Sequence, residues 1–253
     1  MTGPVLRTEK LNKRFGGIVV ADDIDLTIGR GEILGLIGPN GAGKTSLFNL
    51  ISGVLRPDSG AIYLNGVSVI GQPLYRRARQ GIARTWQHML LFRTMTVLEN
   101  LLIAPRFYAG ESILRVVLAR RAVRDAEAFA RERALVILAS MGLDNTAKLM
   151  VTDLPFGQQK LIGLARALMN DGPLLLLDEP MAGVEGAAYE TMQRVVQQEA
   201  ESGRAVCVVE HNVSFIRDLC SRAVFMANGR ILQDGTVEEL IASAALTELY
   251  FGV

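Results

Sequence analysis

Apolar residues fall along this chain in two rhythms. Residues 33–38, ILGLIG, form a run with no polar side chain, the pattern of a strand covered on both faces. LLLLD at 174–178 and AVCVV at 205–209 read the same way. Between them, residues 186–203 carry Tyr189, Met192, Val195 and Val196 at helical spacing. Strand, helix and strand in that order predict a parallel sheet with helices on its faces. Asn65-Gly66 and Asn228-Gly229 each sit between β-rich arms and predict tight hairpins. From about residue 96 to 168 every periodic segment is helical. TVLE at 96–99 fits a capping box; Leu114, Val117, Leu118 and Arg121 share one face, and Leu161, Leu164, Ala165 and Leu168 another. The expectation is an α/β core of residues 1–95 and 169–253, with an all-helical subdomain inserted at about 96–168.

Composition narrows the class. At 253 residues, 49% of them apolar, the chain is long enough for one large domain. The 27 basic and 26 acidic side chains leave no electrostatic footprint for nucleic acid. The start, MTGPVLRTEK, has no apolar core of a signal peptide, and no apolar run approaches the ~20 residues of a membrane span. Cys207 and Cys220 lie in apolar patterns and are expected as buried free thiols in a soluble, cytoplasmic protein. The basic stretch RVVLARRAVRD is followed at once by acids, and reads as a solvated helix face.

Residues 38–45, GPNGAGKT, match G-x-x-x-x-G-K-[ST] between a buried strand and a helix that carries Leu47, Leu50 and Ile51 on one face. Glycines let successive N–H groups converge on phosphate oxygens at the positive end of the helix. The candidate nucleotide site is therefore Gly38, Pro39, Asn40, Gly41, Ala42, Gly43, Lys44, Thr45 and Ser46. Lys44 would reach the β and γ phosphates and Thr45 would offer its hydroxyl to Mg²⁺. The Asn-Lys pair of NKRF lacks the aspartate of a guanine-reading motif, and no Arg-rich lid of a small-molecule kinase stands near the C-terminus.

LLLLDEP ends an apolar strand in two acids, whose side chains should point to opposite faces. Asp178 would approach Mg²⁺, directly or through its waters, leaving Glu179 to orient or deprotonate an attacking water. His211, at the end of the next strand, would hold the γ-phosphate or that water. Gln87 in RTWQHML is a further polar group at a strand end; its amide suits binding Mg²⁺ or water and swinging away. Its neighbour His88 reads as structural. Met89, Leu90, Leu91 and Phe92 follow as consecutive apolar residues in a loop, read either as a partner surface or as burial under the helices.

The remaining question is LPFGQQK, residues 154–160, a Gly-Gln pair before a helix about thirty residues ahead of the paired acids. With GPNGAGKT, Gln87, LLLLDEP and His211, it resembles the signature loop of the ATP-binding subunit of ABC transporters. The resemblance implies a P-loop NTPase, RecA-like core with an antiparallel β-subdomain and an inserted helical subdomain. It also implies ATP sandwiched between two such subunits, identical or unlike, with Gly157 and Gln158 facing the opposing nucleotide. Phe15 matches the position whose ring stacks on adenine. The usual loop is Leu-Ser-Gly-Gly-Gln; here Pro155 supplies neither hydroxyl nor N–H and Phe156 replaces a glycine, so the loop is expected to be retained but weakened. MAGVE, with Glu185 in the aspartate place, also departs from the usual Ser-Ala-Leu-Asp. The Leu-Pro-aromatic-Gly loop, ARTWQHMLLFRTMTVLENLLIA and the ending LYFGV resemble the branched-chain amino-acid importer branch. That implies membrane permease partners, seated on the loop after Gln87, an indirect link to a substrate-binding protein, and a peripheral place on the cytoplasmic face of the inner membrane. An importer of another small solute such as urea, or a non-transport ABC ATPase such as one for iron–sulfur cluster assembly, is the alternative.

Overall fold

The computed structural model describes residues 3–87, 89–106 and 119–242. Leu114, Val117 and Leu118 of the expected helix face, His88 and the ending LYFGV lie outside the described residues. Strands β1 (Leu6–Phe15), β2 (Ile18–Ile28), β4 (Ser59–Leu64) and β5 (Val67–Ser68) form a four-stranded antiparallel sheet in the order β2-β1-β4-β5. The other sheet is six-stranded, in the order β10-β9-β3-β8-β7-β6. It joins β3 (Ile33–Ile37), β6 (Ile82–Arg84), β7 (Leu174–Asp178), β8 (Ala205–Val209), β9 (Arg222–Ala227) and β10 (Arg230–Thr236), all parallel except β10. Both Asn-Gly turns have the left-handed pair of residues that two-residue hairpins require: φ is 48° and 78° at Asn65-Gly66, 50° and 77° at Asn228-Gly229.

The apolar strands are buried on both faces because their alternate residues serve two cores. Leu34, Leu36, Leu174, Leu176, Cys207 and Val209 pack with α1 (Lys44–Ser52) and the antiparallel sheet. Leu175, Leu177, Val206 and Val208 pack on the other side, where α3 (Val97–Leu102), α4 (Arg120–Ser140), α5 (Phe156–Leu168), α6 (Ala187–Glu201), α7 (Val213–Leu219) and α8 (Val237–Ala242) contribute apolar residues. The capping box is present: Thr96 Oγ1 accepts from the Glu99 N–H at 3.2 Å, and Glu99 Oε2 accepts from the Thr96 N–H at 2.8 Å. On α4, Val123, Ala130, Ala134 and Leu138 turn inward while Arg120, Arg121 and Arg124 are exposed. Both cysteines are buried free thiols, and desolvation pushes Cys220 up to about 12 and Cys207 higher still, so neither is a thiolate at neutral pH. Among the described residues, no helix is long and apolar enough to cross a membrane.

One buried cation secures α1 from behind. Arg77, on α2 (Leu74–Gln80), donates through Nη1 to the carbonyls of Leu50 and Ile51 at 2.6 and 2.9 Å, and through Nε to that of Gln72 at 3.1 Å. A cation at the C-terminal end of a helix satisfies orphan carbonyls and complements the dipole. Burial lowers its pKa to about 10, so it stays charged at neutral pH. Arg77→Met keeps the volume and strands these carbonyls; it is expected to lower stability by about 2–4 kcal/mol, read from the urea midpoint of the purified protein.

Candidate functional site

The loop between β3 and α1 can close only because of its glycines. A Cβ on Gly38 (φ 149°) would lie 2.0 Å from the Met226 carbonyl oxygen, and one on Gly43 (φ 102°) 2.3 Å from that of Val20. The curl is thus pressed against β9 and β2, and the Gly229 N–H donates to Ala42 O at 2.9 Å to hold it there. The first turn of α1 has neither a side-chain cap nor an acidic residue, so its N–H groups and its positive end are left for an anion. Buried Lys44 folds back and donates to the carbonyls of Gly38 and Pro39 at 2.6 and 3.0 Å. Desolvation lowers its pKa, opposed by the charges of Glu179 and Asp178, which places both acids within its electrostatic reach. Thr45 is exposed and Ser46 half-buried beside it; Asn40 and Gly41 stand exposed on the curl.

Asp178 continues the face of Leu174 and Leu176 that looks toward α1. Its Oδ2 accepts from Arg84 Nη2 at 2.8 Å, and both side chains are nearly dry, 1% and 5% exposed. Arg84 in turn donates through Nη1 to Asn49 Oδ1 at 2.7 Å and Ser52 Oγ at 3.1 Å, both on α1. It also lies 4.4 Å from the Trp86 ring centre and 5.5 Å from that of Phe48. Desolvation lowers the Arg84 pKa, against the pull of Asp178. The other oxygen of Asp178, Oδ1, is buried with no hydrogen-bond partner. Arg84 went unread in the sequence; its signal is a charge ending the short strand that runs parallel beside the acid's own.

The two acids do diverge, but strand alternation is not the reason. β7 ends at Asp178, and Glu179 adopts a left-handed backbone, φ 48°, with its N–H donating to Val209 O at 2.9 Å. For a residue with a side chain this costs about 1–3 kcal/mol. The turn brings the Glu179 carboxylate between two partners: Gln87 Nε2 donates to Oε2 at 2.9 Å and His211 Nε2 lies 3.3 Å from Oε1. Gln87 is not itself at a strand end, since β6 stops three residues earlier at Arg84. Glu210, also unread, is buried after β8 and accepts from the N–H groups of Met181 at 2.6 Å and His211 at 3.1 Å. Burial pushes its pKa up while those N–H groups pull it down. It ties the loop after β7 to the loop that carries His211.

In LPFGQQK, Leu154 is buried, Pro155 caps α5 without a side-chain bond, and Gly157 and Gln158 lie in the first turn. Phe156 is 50% exposed, and its ring lies so close to Gly183 that a Cβ there would meet it at 2.9 Å. Glu185 is exposed at the far end of that loop. Phe15, the last residue of β1, is 47% exposed with Lys13 Nζ 5.2 Å from its ring centre, so it is not a core residue. It pairs with Ile18 across the hairpin, and β2 then reaches the curl at Val20. Beyond Gln87, Leu91 packs on the core while Leu90 and Phe92 are 55% and 49% exposed. Asn100 fixes that segment, accepting from the Phe92 N–H at 2.8 Å and donating to its carbonyl at 3.1 Å.

Known proteins are similar to this chain along its whole length. The probable branched-chain amino acid transport ATP-binding protein LivG of Archaeoglobus fulgidus is 35% identical over 248 residues, 98% of this chain and 95% of that one. The high-affinity branched-chain amino acid transport ATP-binding protein BraF of Pseudomonas aeruginosa is 32% identical over 253 residues, 100% of this chain and 99% of that one. Among solved structures, the ADP conformation of MJ1267, an ATP-binding cassette of an ABC transporter, superimposes with a TM-score of 0.86 at 30% identity, covering both chains fully. The family model described as ABC transporter matches residues 21–182, from β2 beside the phosphate curl to the loop beyond the paired acids. Its span takes in the cradle, Gln87, the LPFGQQK turn and both carboxylates, and the chain belongs to the ABC transporter family.

Proposed function

We propose that this chain is the ATP-hydrolysing subunit of an importer for branched-chain or other hydrophobic amino acids. It works with a second ATPase subunit beneath membrane permease subunits, on the cytoplasmic face of the membrane, and is linked only indirectly to a substrate-binding protein. The names of the full-length relatives support the cargo class and the transport role. The observation that carries the chemistry is the Glu179 carboxylate, held between Gln87 and His211 within electrostatic reach of Lys44.

ATP binds with its phosphates in the curl of residues 38–46, where Lys44 exchanges two carbonyls for the β and γ phosphates. Adenine stacks on the exposed ring of Phe15. A magnesium ion fits the donor set of Thr45, Gln87 and Asp178, whose Oδ1 is buried and unpartnered; when bound it supplies neutralisation of phosphate charge. Glu179 accepts the proton of a water whose oxygen attacks the γ-phosphorus in line as the bond to the β–γ bridging oxygen breaks and ADP leaves with that electron pair; positioned base catalysis of this kind is worth about 10²–10⁴ in rate. His211, held against Glu179, steadies that water or the γ-phosphate. Gly157 and Gln158 meet the nucleotide of the opposing subunit. The helical part, of which α3, α4 and α5 are described, turns when the pair closes, and ATP drives closure only as far as it prefers the closed state. Leu90 and Phe92 then carry the movement to a permease helix.

Three outcomes are expected. Glu179→Gln should cut the hydrolysis rate by at least about 10²-fold while fluorescent-ATP binding persists; normal turnover would remove Glu179 from the chemistry. Phe15→Ala should weaken ATP binding by about tenfold in the same assay, the value of one lost stacking contact. Phe92→Glu should leave nucleotide affinity intact but abolish uptake in a reconstituted complex, and normal assembly and transport would defeat the docking assignment.

A further inference from the structure

A cation buried behind the paired acids has no task in the scheme above. Lys160 lies on α5 among Leu161, Leu164 and Ala165 and is 8% exposed. Removing an ammonium from water is costly unless it is paired and hydrogen-bonded. Desolvation depresses its pKa, with Glu210, Glu179 and Asp178 opposing that shift. Its Nζ donates to the main-chain carbonyl of Glu179 at 3.2 Å.

That carbonyl belongs to the residue with the left-handed backbone. Such a conformation persists where its surroundings over-determine it. Here the two ends of the residue are tethered separately: the N–H to Val209 on β8, the carbonyl to Lys160 on α5 at 3.2 Å and, within its own turn, to the Ala182 N–H at 3.4 Å. Without Lys160 the carbonyl keeps only the long bond from Ala182, which moves with the same turn, so the peptide after Glu179 can relax and carry the carboxylate away from Gln87 and His211. Phe156 stands one helical turn before Lys160, with its ring centre 5.9 Å from Nζ and its edge against Gly183. The ring covers the ammonium and braces the loop that follows Glu179.

We infer that Lys160 is a positioning residue for Glu179, holding the strained backbone from α5 under the cover of Phe156, and that the Gly157–Gln158 turn is thereby joined mechanically to the carboxylate. The inference rests on the proposed role of Glu179 and deepens it.

The test is steady-state ATP hydrolysis by the full-length chain with its partners. Lys160→Met should lower kcat by at least about tenfold and change KM for ATP by less than about twofold, as expected when only transition-state help is lost. Lys160→Arg, which keeps a donor, should recover most of the rate. In a Glu179→Gln background, Lys160→Met should alter the residual rate by less than about twofold, because its effect runs through the carboxylate. Full activity of Lys160→Met, or an equal further loss in the Gln background, overturns the inference. Should Lys160→Met fail to fold, Phe156→Ala is expected to lower kcat about threefold or more at unchanged KM, and an unaltered kcat would overturn it as well. Normal hydrolysis by Glu179→Gln alone would instead defeat the proposed function.

Discussion

The site is registered to one dry ion pair. Arg84 and Asp178 end neighbouring parallel strands, and neither charge has water to fall back on. A buried pair of this kind adds little net stability, because desolvation offsets most of its Coulomb attraction. Its value is geometric. With Oδ2 committed to the guanidinium, Asp178 presents Oδ1 in a single direction. With Nη1 committed to Asn49 and Ser52, the same guanidinium fixes the pair to the helix that begins at the phosphate curl. Arg77 holds the same last turn of that helix through the carbonyls of Leu50 and Ile51. The acids and the cradle are therefore parts of one rigid assembly.

Around this assembly the loops are tied by buried charges. Glu210 joins the loop after β7 to the His211 loop, and Lys160 joins that same β7 end to α5. Each of these groups makes hydrogen bonds to main-chain atoms, which a side chain lacking the same donor or acceptor would not reproduce. The left-handed turn at Glu179 is the point where these ties meet. A residue in a sparsely allowed conformation, with its carboxylate bracketed by an amide and an imidazole, is what an assembly made for chemistry would retain and one made for packing would not.

The fold was legible where local chemistry decides it. Asn65-Gly66 and Asn228-Gly229 name their own turns, TVLE names a capping box, and unbroken apolar runs name strands with two cores. The curl between β3 and α1 was legible because glycine at 38 and 43 is a steric requirement written into the motif. What escaped depends on pairings distant in sequence. Arg84 reaches an acid 94 positions away, and Lys160 a carbonyl 19 positions away; each reads in isolation as an ordinary charge on a strand or helix. The reason that Asp178 and Glu179 part company escaped too, since alternation along a strand cannot reveal that the strand has already ended. The apolar run at 89–92 stood undecided between burial and exposure, and the structure divides it, with Leu91 inside and Leu90 and Phe92 outside.

The stacking of Trp86 on Arg84 has an optical consequence. Trp86 is the one tryptophan in the sequence, and its ring lies 4.4 Å from a guanidinium bonded to Asp178 and one residue from Gln87. Indole emission responds to nearby charge and to hydration. The indole fluorescence of this protein therefore arises beside the proposed nucleotide site, with no background from other indoles and no dye to attach.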